Sequence, residues 1–182
     1  MIKDDSRPDI FIKLKERETR KWHVLYVRSR HEKVVNEELK ESGFITYLPM
    51  VKVLKQWSQR KKWIEEAVFK SYIFIKSKRS ELYDALRNPN AISYIKFAGE
   101  PAIVSEKTLE LIQQMIESKT SFEVESGQIA IGKKITLKVG IFKGQEGKVV
   151  QLRGKKKLVI RIDSINSNIV INLDDIMPPE KL

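Results

Sequence analysis

Arg28-Ser29-Arg30, and the run Arg60-Lys61-Lys62 between Trp57 and Trp63, are the groups of this 182-residue chain best suited to binding chemistry. A guanidinium pairs with phosphate and stacks on unpaired bases, an ammonium acts as a point charge, and an indole stacks. The wider charge distribution agrees with that chemistry. The formal net charge is +11, and it is segregated. Residues 52–79 hold nine Lys/Arg against two Glu and residues 133–161 hold ten against one, leaving the remainder at −5. Clustered cations attract polyanions by counterion release, which favours a nucleic-acid neighbour over a basic surface that merely aids solubility. A lipid surface is the weaker reading, because no amphipathic Lys-rich helix accompanies the charge. For Arg28, Ser29 and Arg30, a contact with nucleic acid and a plain solvated helix start both remain open. For the second cluster, the cations are read as electrostatic contacts and the tryptophans as cross-strand packing.

Catalytic equipment is sparse. There is no cysteine, so disulfides, thiolate metal sites and a Cys nucleophile are excluded. His23 and His31 are the only histidines, too few for a His-rich metal site. No Gly-rich phosphate loop precedes a helix, and Glu65-Glu66 reads as charge balance within a basic segment. The expectation is a non-enzyme with no catalytic residue, metal or cofactor. No run approaches the roughly 18 apolar residues of a membrane span.

The elements that must position these residues follow from periodicity. Residues 1–20 alternate charges and read as a flexible leader rather than a secretory signal. Trp22 to Val27 reads as a central strand. Ser29 is expected to cap the next helix, with Glu32 as its capping-box partner and Val34, Val35 and Leu39 on the buried face. Gly43 ends that helix, and Phe44 to Leu48 is a strand stopped by Pro49. Residues 51–68 read as a basic β-hairpin with its tip near Ser58-Gln59-Arg60-Lys61. Val68 to Ile75 is a further core strand, in which Tyr72 and Phe74 share one face and Ile73 and Ile75 the other. Ser80 opens a short helix, Asn88-Pro89-Asn90 turns, and Ile92 to Phe97 is a strand. Ser105 caps a last helix with Leu109, Ile112 and Ile116 on one face.

The order predicts an α+β sandwich over residues 21–117. Polar residues 118–129 read as a linker. From residue 130 to 182 the signals are all β, in short runs at 134–139, 147–152, 158–162 and 169–173, implying a small barrel. Lys155-Lys156-Lys157 reads as a turn between two of its strands.

Val139-Gly140-Ile141-Phe142-Lys143-Gly144-Gln145-Glu146-Gly147-Lys148-Val149-Val150 resembles a KOW motif, whose glycines allow turns and close strand approach. Gly140, Phe142, Gly144 and Gly147 are its loop residues, with Phe142 expected at the exposed loop. Trp22-His23-Val24-Leu25-Tyr26, Glu32-Lys33, Tyr47-Leu48-Pro49 and Phe69-Lys70-Ser71-Tyr72-Ile73-Phe74 resemble the NGN domain of NusG proteins. The resemblance runs from about Lys21 to the C-terminus. It implies an NGN-type α/β sandwich followed by an SH3-like KOW barrel. Gln56 to Trp63 and Ala98 to Val104 are more similar to the specialised paralogues of the RfaH, UpxY and LoaP type.

The resemblance further implies a cytoplasmic, monomeric transcription elongation and antitermination factor. In that family the NGN domain binds the clamp helices of RNA polymerase through an apolar patch. The matching positions are Tyr26, Phe69, Tyr72 and Phe74. Lys70 stands where many members have proline. Arg28, Ser29 and Arg30 match the part of specialised paralogues that touches non-template DNA, with nascent RNA as the other candidate, and Arg60, Lys61 and Lys62 join them as nucleic-acid contacts. The KOW domain of relatives recruits Rho or a ribosomal protein. A housekeeping NusG factor and a ribosome-associated KOW protein are the alternative readings.

Overall fold

The computed structural model describes residues 19–57, 60–127, 132–137, 142–152 and 154–172. The described residues begin with β1 (Lys21–Val27), α1 (Glu32–Glu41), β2 (Ile45–Tyr47), β3 (Met50–Trp57), β4 (Arg60–Ala67) and β5 (Tyr72–Ser77). A short helix α2 (Leu82–Ala85) follows, then β6 (Ala91–Tyr94), β7 (Lys96–Phe97), β8 (Glu100–Pro101), β9 (Ile103–Val104) and α3 (Glu106–Glu117). The remainder is β10 (Phe122–Ser126), β11 (Lys133–Thr136), β12 (Glu146–Leu152), β13 (Lys155–Ile162) and β14 (Ser167–Asn172). By compactness the chain forms one unit of residues 1–48 and 70–104, and another of 49–69 and 105–182. The expected division at 21–117 and 130–182 differs from this partition at the β3–β4 hairpin and at α3.

In the first unit β1 is central, paired antiparallel with β5, β6 and β9, and β2 lies outside β5. Strand alternation puts Leu25, Val27, Ile73 and Ile75 on one face, where they pack with Val35, Leu39, Leu82, Ala85 and Tyr94. Helix α1 ends as expected. Gly43 (φ +86°) donates its N–H to Lys40 O at 2.9 Å and Phe44 donates to Leu39 O at 3.0 Å, the paired bonds of a Schellman stop. Its start differs. The N-cap is His31, without a side-chain cap bond, because Arg30 turns through φ +69° and leaves Ser29 two positions short of the cap. Glu32 therefore faces another partner, described below. Val34 is exposed, and Asn36 takes its place on the buried face beside Val35 and Leu39.

In the second unit β3 and β4 form the expected hairpin, with Trp57 opposite Arg60 as the last pair; Ser58 and Gln59 lie outside the described residues. Ser105 caps α3 by accepting the Thr108 N–H at 3.1 Å. That helix buries Leu109, Leu111, Ile112 and Met115, while Ile116, expected among them, is half-buried. A five-stranded antiparallel sheet runs in the order β10-β14-β13-β12-β11. Strand β10 lies inside the segment read as a linker. Phe122 and Val124 alternate with Glu123 and Glu125, a period of two that supports pairing with β14 despite the polar composition. Lys155, Lys156 and Lys157 do not form a turn: they open β13, and Lys157 sits opposite both Val150 and Asn172.

Candidate functional site

The strand ends of the first unit gather Tyr26, Tyr72 and the Arg28-Ser29-Arg30 turn. Tyr26, near the end of β1, stands directly opposite Tyr72, the first residue of β5. Directly opposed residues share a face, and the two rings meet at 5.7 Å between centroids with planes at 57°. Tyr26 is 37 % exposed and Tyr72 is half-buried, so part of the pair is offered to a partner. Burial pushes the Tyr72 hydroxyl upward from its ordinary pKa, with the neighbouring Tyr26 hydroxyl adding a smaller push in the same direction.

The other two patch positions are core. Phe74 is 0 % exposed and stacks on Tyr47 at 6.2 Å, and Phe69 is 2 % exposed. The reason for Phe74 lies in the sheet. It shares the face of Tyr26 and Tyr72 but pairs with Val24 at mid-strand, where that face is covered, whereas Tyr72 lies at the strand end. Trp22, in the strand read as central, is half-buried, with the Lys76 ammonium 5.8 Å from its ring.

The turn after β1 brings the cations beside this pair. Val27 donates its N–H to Ser71 O and Arg28 donates to Asn90 O, both at 2.9 Å, which pins the turn to the starts of β5 and β6. Arg28, Ser29 and Arg30 are all exposed there, and Lys70 is exposed in the turn before β5. Ser71, at φ +64°, donates its N–H to Glu32 Oε1 at 2.8 Å. Sequence reasoning missed this bond because it joins residues 39 positions apart.

The cations of the hairpin are placed differently. Arg60 and Lys62 share one face of β4, and Lys61 lies on the other. Trp57 and Trp63 are 50 % and 65 % exposed and do not face each other: Trp63 opposes Leu54, and Trp57 opposes Arg60. Each tryptophan thus has a cross-strand neighbour, but the two do not pack on one another.

In the KOW-like segment, Gly140 lies outside the described residues. Phe142, expected at an exposed loop, is 3 % exposed; its C=O accepts the Gln145 N–H as the chain turns inward. Gly144 adopts φ +83°, and a Cβ on Gly147 would meet Leu158 Cδ1 at 2.7 Å and Val159 O at 3.0 Å. Close strand approach thus requires glycine at 147, and backbone conformation favours it at 144.

Among the described residues no group of three His, Asp or Glu comes together to hold a metal ion, and no helix is long and apolar enough to cross a membrane.

Residues 20–113 match the family described as transcription termination factor nusG. The transcription termination/antitermination protein NusG of Chlamydia pneumoniae is 26 % identical over 157 residues, spanning 78 % of this chain and 85 % of that protein. Among solved structures, Thermotoga maritima NusG aligns over 88 % of this chain and 97 % of its own at 18 % identity, with a TM-score of 0.47. A MjSpt4:Spt5 complex aligns over 86 % and 96 % at 10 % identity, with a TM-score of 0.28. Both superpositions are loose. The family match spans more than half of the 182 residues, and on it the chain belongs to the NusG family of transcription termination and antitermination factors, which are not enzymes.

Proposed function

We propose that this chain binds elongating RNA polymerase through the surface that Tyr26 and Tyr72 present, and that it suppresses pausing or termination. The observation that carries the reading is the aromatic pair itself, partly exposed at the strand ends beside Arg28, Ser29 and Arg30. Aromatic side chains supply large contact area at low entropic cost, and neighbouring cations add steering toward nucleic acid. The polymerase site is the pair of clamp helices that NusG relatives occupy. Arg28, Ser29 and Arg30 contact the non-template strand exposed in the transcription bubble, and Arg60 and Lys62 add phosphate contacts from the hairpin. The β10–β14 sheet acts as a KOW barrel that recruits a second partner, Rho or a ribosomal protein. The factor works as a monomer in the cytoplasm, on specific long operons such as surface-polysaccharide clusters. The operon specificity rests on the resemblance of Gln56–Trp63 and Ala98–Val104 to specialised paralogues.

A housekeeping role stands as the second reading, favoured by an alignment covering 85 % of a relative named simply as NusG. Polymerase occupancy mapped across the genome after deletion separates the two: a change confined to a few long operons supports the specialised role, and a global change supports the housekeeper. The polymerase contact is tested by co-purification of the full chain carrying Tyr26→Ala and Tyr72→Ala. Undiminished recovery of polymerase with a folded variant would remove it. The DNA contact is tested with Arg28→Ala and Arg30→Ala on complexes with an exposed non-template strand. The loss of binding is expected to be larger at low salt.

A further inference from the structure

The β3–β4 hairpin has two chemically different faces. Register pairs Lys52 with Glu65, Leu54 with Trp63 and Gln56 with Lys61 on one of them. By register, those pairs are complementary: opposite charges, an aliphatic side chain and an indole, and an amide and an ammonium stand directly across from one another. The large exposure of Trp63 is thus the outer side of a cross-strand pair.

The other face is not balanced near its tip. Lys55 stands directly opposite Lys62, and Trp57 directly opposite Arg60. Like charges directly opposed across two strands destabilise a hairpin. Glu66 forms an ion pair with Lys55, but on this face Arg60 stands opposite Trp57 and Lys62 opposite Lys55, so neither has a carboxylate directly across from it. Half the Trp57 surface is open to solvent beside these cations. An indole bordered by an excess of positive charge matches a ligand that presents a flat π-face next to a phosphate. A duplex hides its base faces inside the stack, so the match is to a single strand.

We propose that the Trp57 face of this hairpin binds single-stranded nucleic acid, with one base stacked on Trp57 and the flanking phosphates held by Lys55, Arg60 and Lys62. Same-face neighbours along a strand are roughly 6–7 Å apart, so Lys55 and Trp57 can engage a phosphate and its adjacent base together. Lys61, on the opposite face, takes no part. The inference deepens the nucleic-acid part of the function proposed above and does not depend on the polymerase contact.

The test uses the full chain and the fluorescence anisotropy of a labelled 12-mer oligothymidylate, with a 12-base-pair duplex and polyglutamate as competitors. Trp57→Ala is expected to weaken oligothymidylate binding about tenfold, while Trp57→Phe, which keeps a stacking ring, retains most of it. Trp63→Ala and Lys61→Ala are expected to stay within about twofold, being on the complementary face. Replacing Lys55 and Lys62 together with Ala lowers the salt slope by about 1.4. Equal losses from Trp57→Ala and Trp63→Ala would overturn the face assignment. Competition by duplex or polyglutamate as strong as by unlabelled oligothymidylate, with Trp57→Phe no better than Trp57→Ala, would reduce the site to nonspecific charge and overturn the proposal. Polymerase co-purification with the same variants keeps the two readings apart. If Trp57→Ala binds oligothymidylate normally while Tyr26→Ala and Tyr72→Ala lose polymerase, this inference fails and the polymerase contact stands.

Discussion

Ser71 donates its backbone N–H to Glu32 Oε1 at 2.8 Å, tying the first turn of α1 to the residue immediately before Tyr72. Both partners are buried, and Ser71 holds a left-handed conformation at φ +64° that the bond helps to fix. The same residue's C=O accepts the Val27 N–H, so one short segment locks the turn that carries Arg28 to Arg30 and sets the direction of Tyr72. Glu32→Ala is expected to lose about 1.5–3 kcal/mol of stability, the range for a hydrogen bond to a charged group. Glu32→Gln, which keeps an acceptor oxygen, is expected to lose less. Urea unfolding of the two variants checks the order, and equal stability with the parent chain would show that the bond contributes nothing.

Phe74 and the tyrosine pair share a face but differ in burial, and their variants are expected to differ accordingly. Phe74→Ala removes a fully buried ring and is expected to cost about 3–5 kcal/mol of stability. Tyr26→Ala truncates a partly exposed side chain and is expected to leave the fold intact while costing roughly 2 kcal/mol or more of polymerase affinity. Melting temperature and co-purification, measured on both variants, separate packing from contact. A Tyr26→Ala melting temperature as low as that of Phe74→Ala would return Tyr26 to the core.

His23 supplies a pH dependence. Its ring is buried, with Nδ1 3.2 Å from Ala102 O and the Tyr94 ring edge-on at 6.1 Å. Burial pushes its pKa below the ordinary histidine value, the bond to Ala102 opposes that, and Lys21 and Arg79 reinforce the lowering. The unfolded chain therefore binds more protons than the folded one below about pH 6.5. Stability contributed by neutral His23 is complete above that value and declines as the pH falls through it, with a slope of at most about 1.4 kcal/mol per pH unit. Denaturation midpoints between pH 7.5 and 5 are expected to fall in the parent chain and to flatten in His23→Gln. A parent chain equally stable across this range would contradict the assignment.

Gly147 and Gly144 are expected to fail for different reasons. Gly147→Ala forces a Cβ into Leu158 and the Val159 carbonyl, an overpacking that typically costs about 1–3 kcal/mol. Gly144→Ala meets nothing within 4 Å and pays only for its left-handed backbone, roughly 1 kcal/mol. Hydrogen exchange of the β12 and β13 amides is expected to accelerate more in the first variant than in the second. The reverse order would mean that β13 yields to the added methyl.

The sequence by itself determined the elements whose signals are local. Alternation marked β1, β2, β5 and most of the second sheet, Gly43 marked the end of α1, and Ser105 marked the start of α3, because each signal lies within a few residues of its effect. The pairing of Tyr72 with Phe74 on one face and Ile73 with Ile75 on the other was legible for the same reason. Tertiary structure alone decided what covers each face. It placed Phe74 inside and left Tyr26 partly outside, turned Phe142 inward, and put Trp57 and Trp63 on opposite faces of one hairpin. It also gave Glu32 a backbone partner 39 residues away instead of the expected capping-box partner Ser29, a few residues before it. Burial and long-range pairing depend on which segments meet in space, and residue type carries no record of that: an aromatic ring suits a core and an interface equally well.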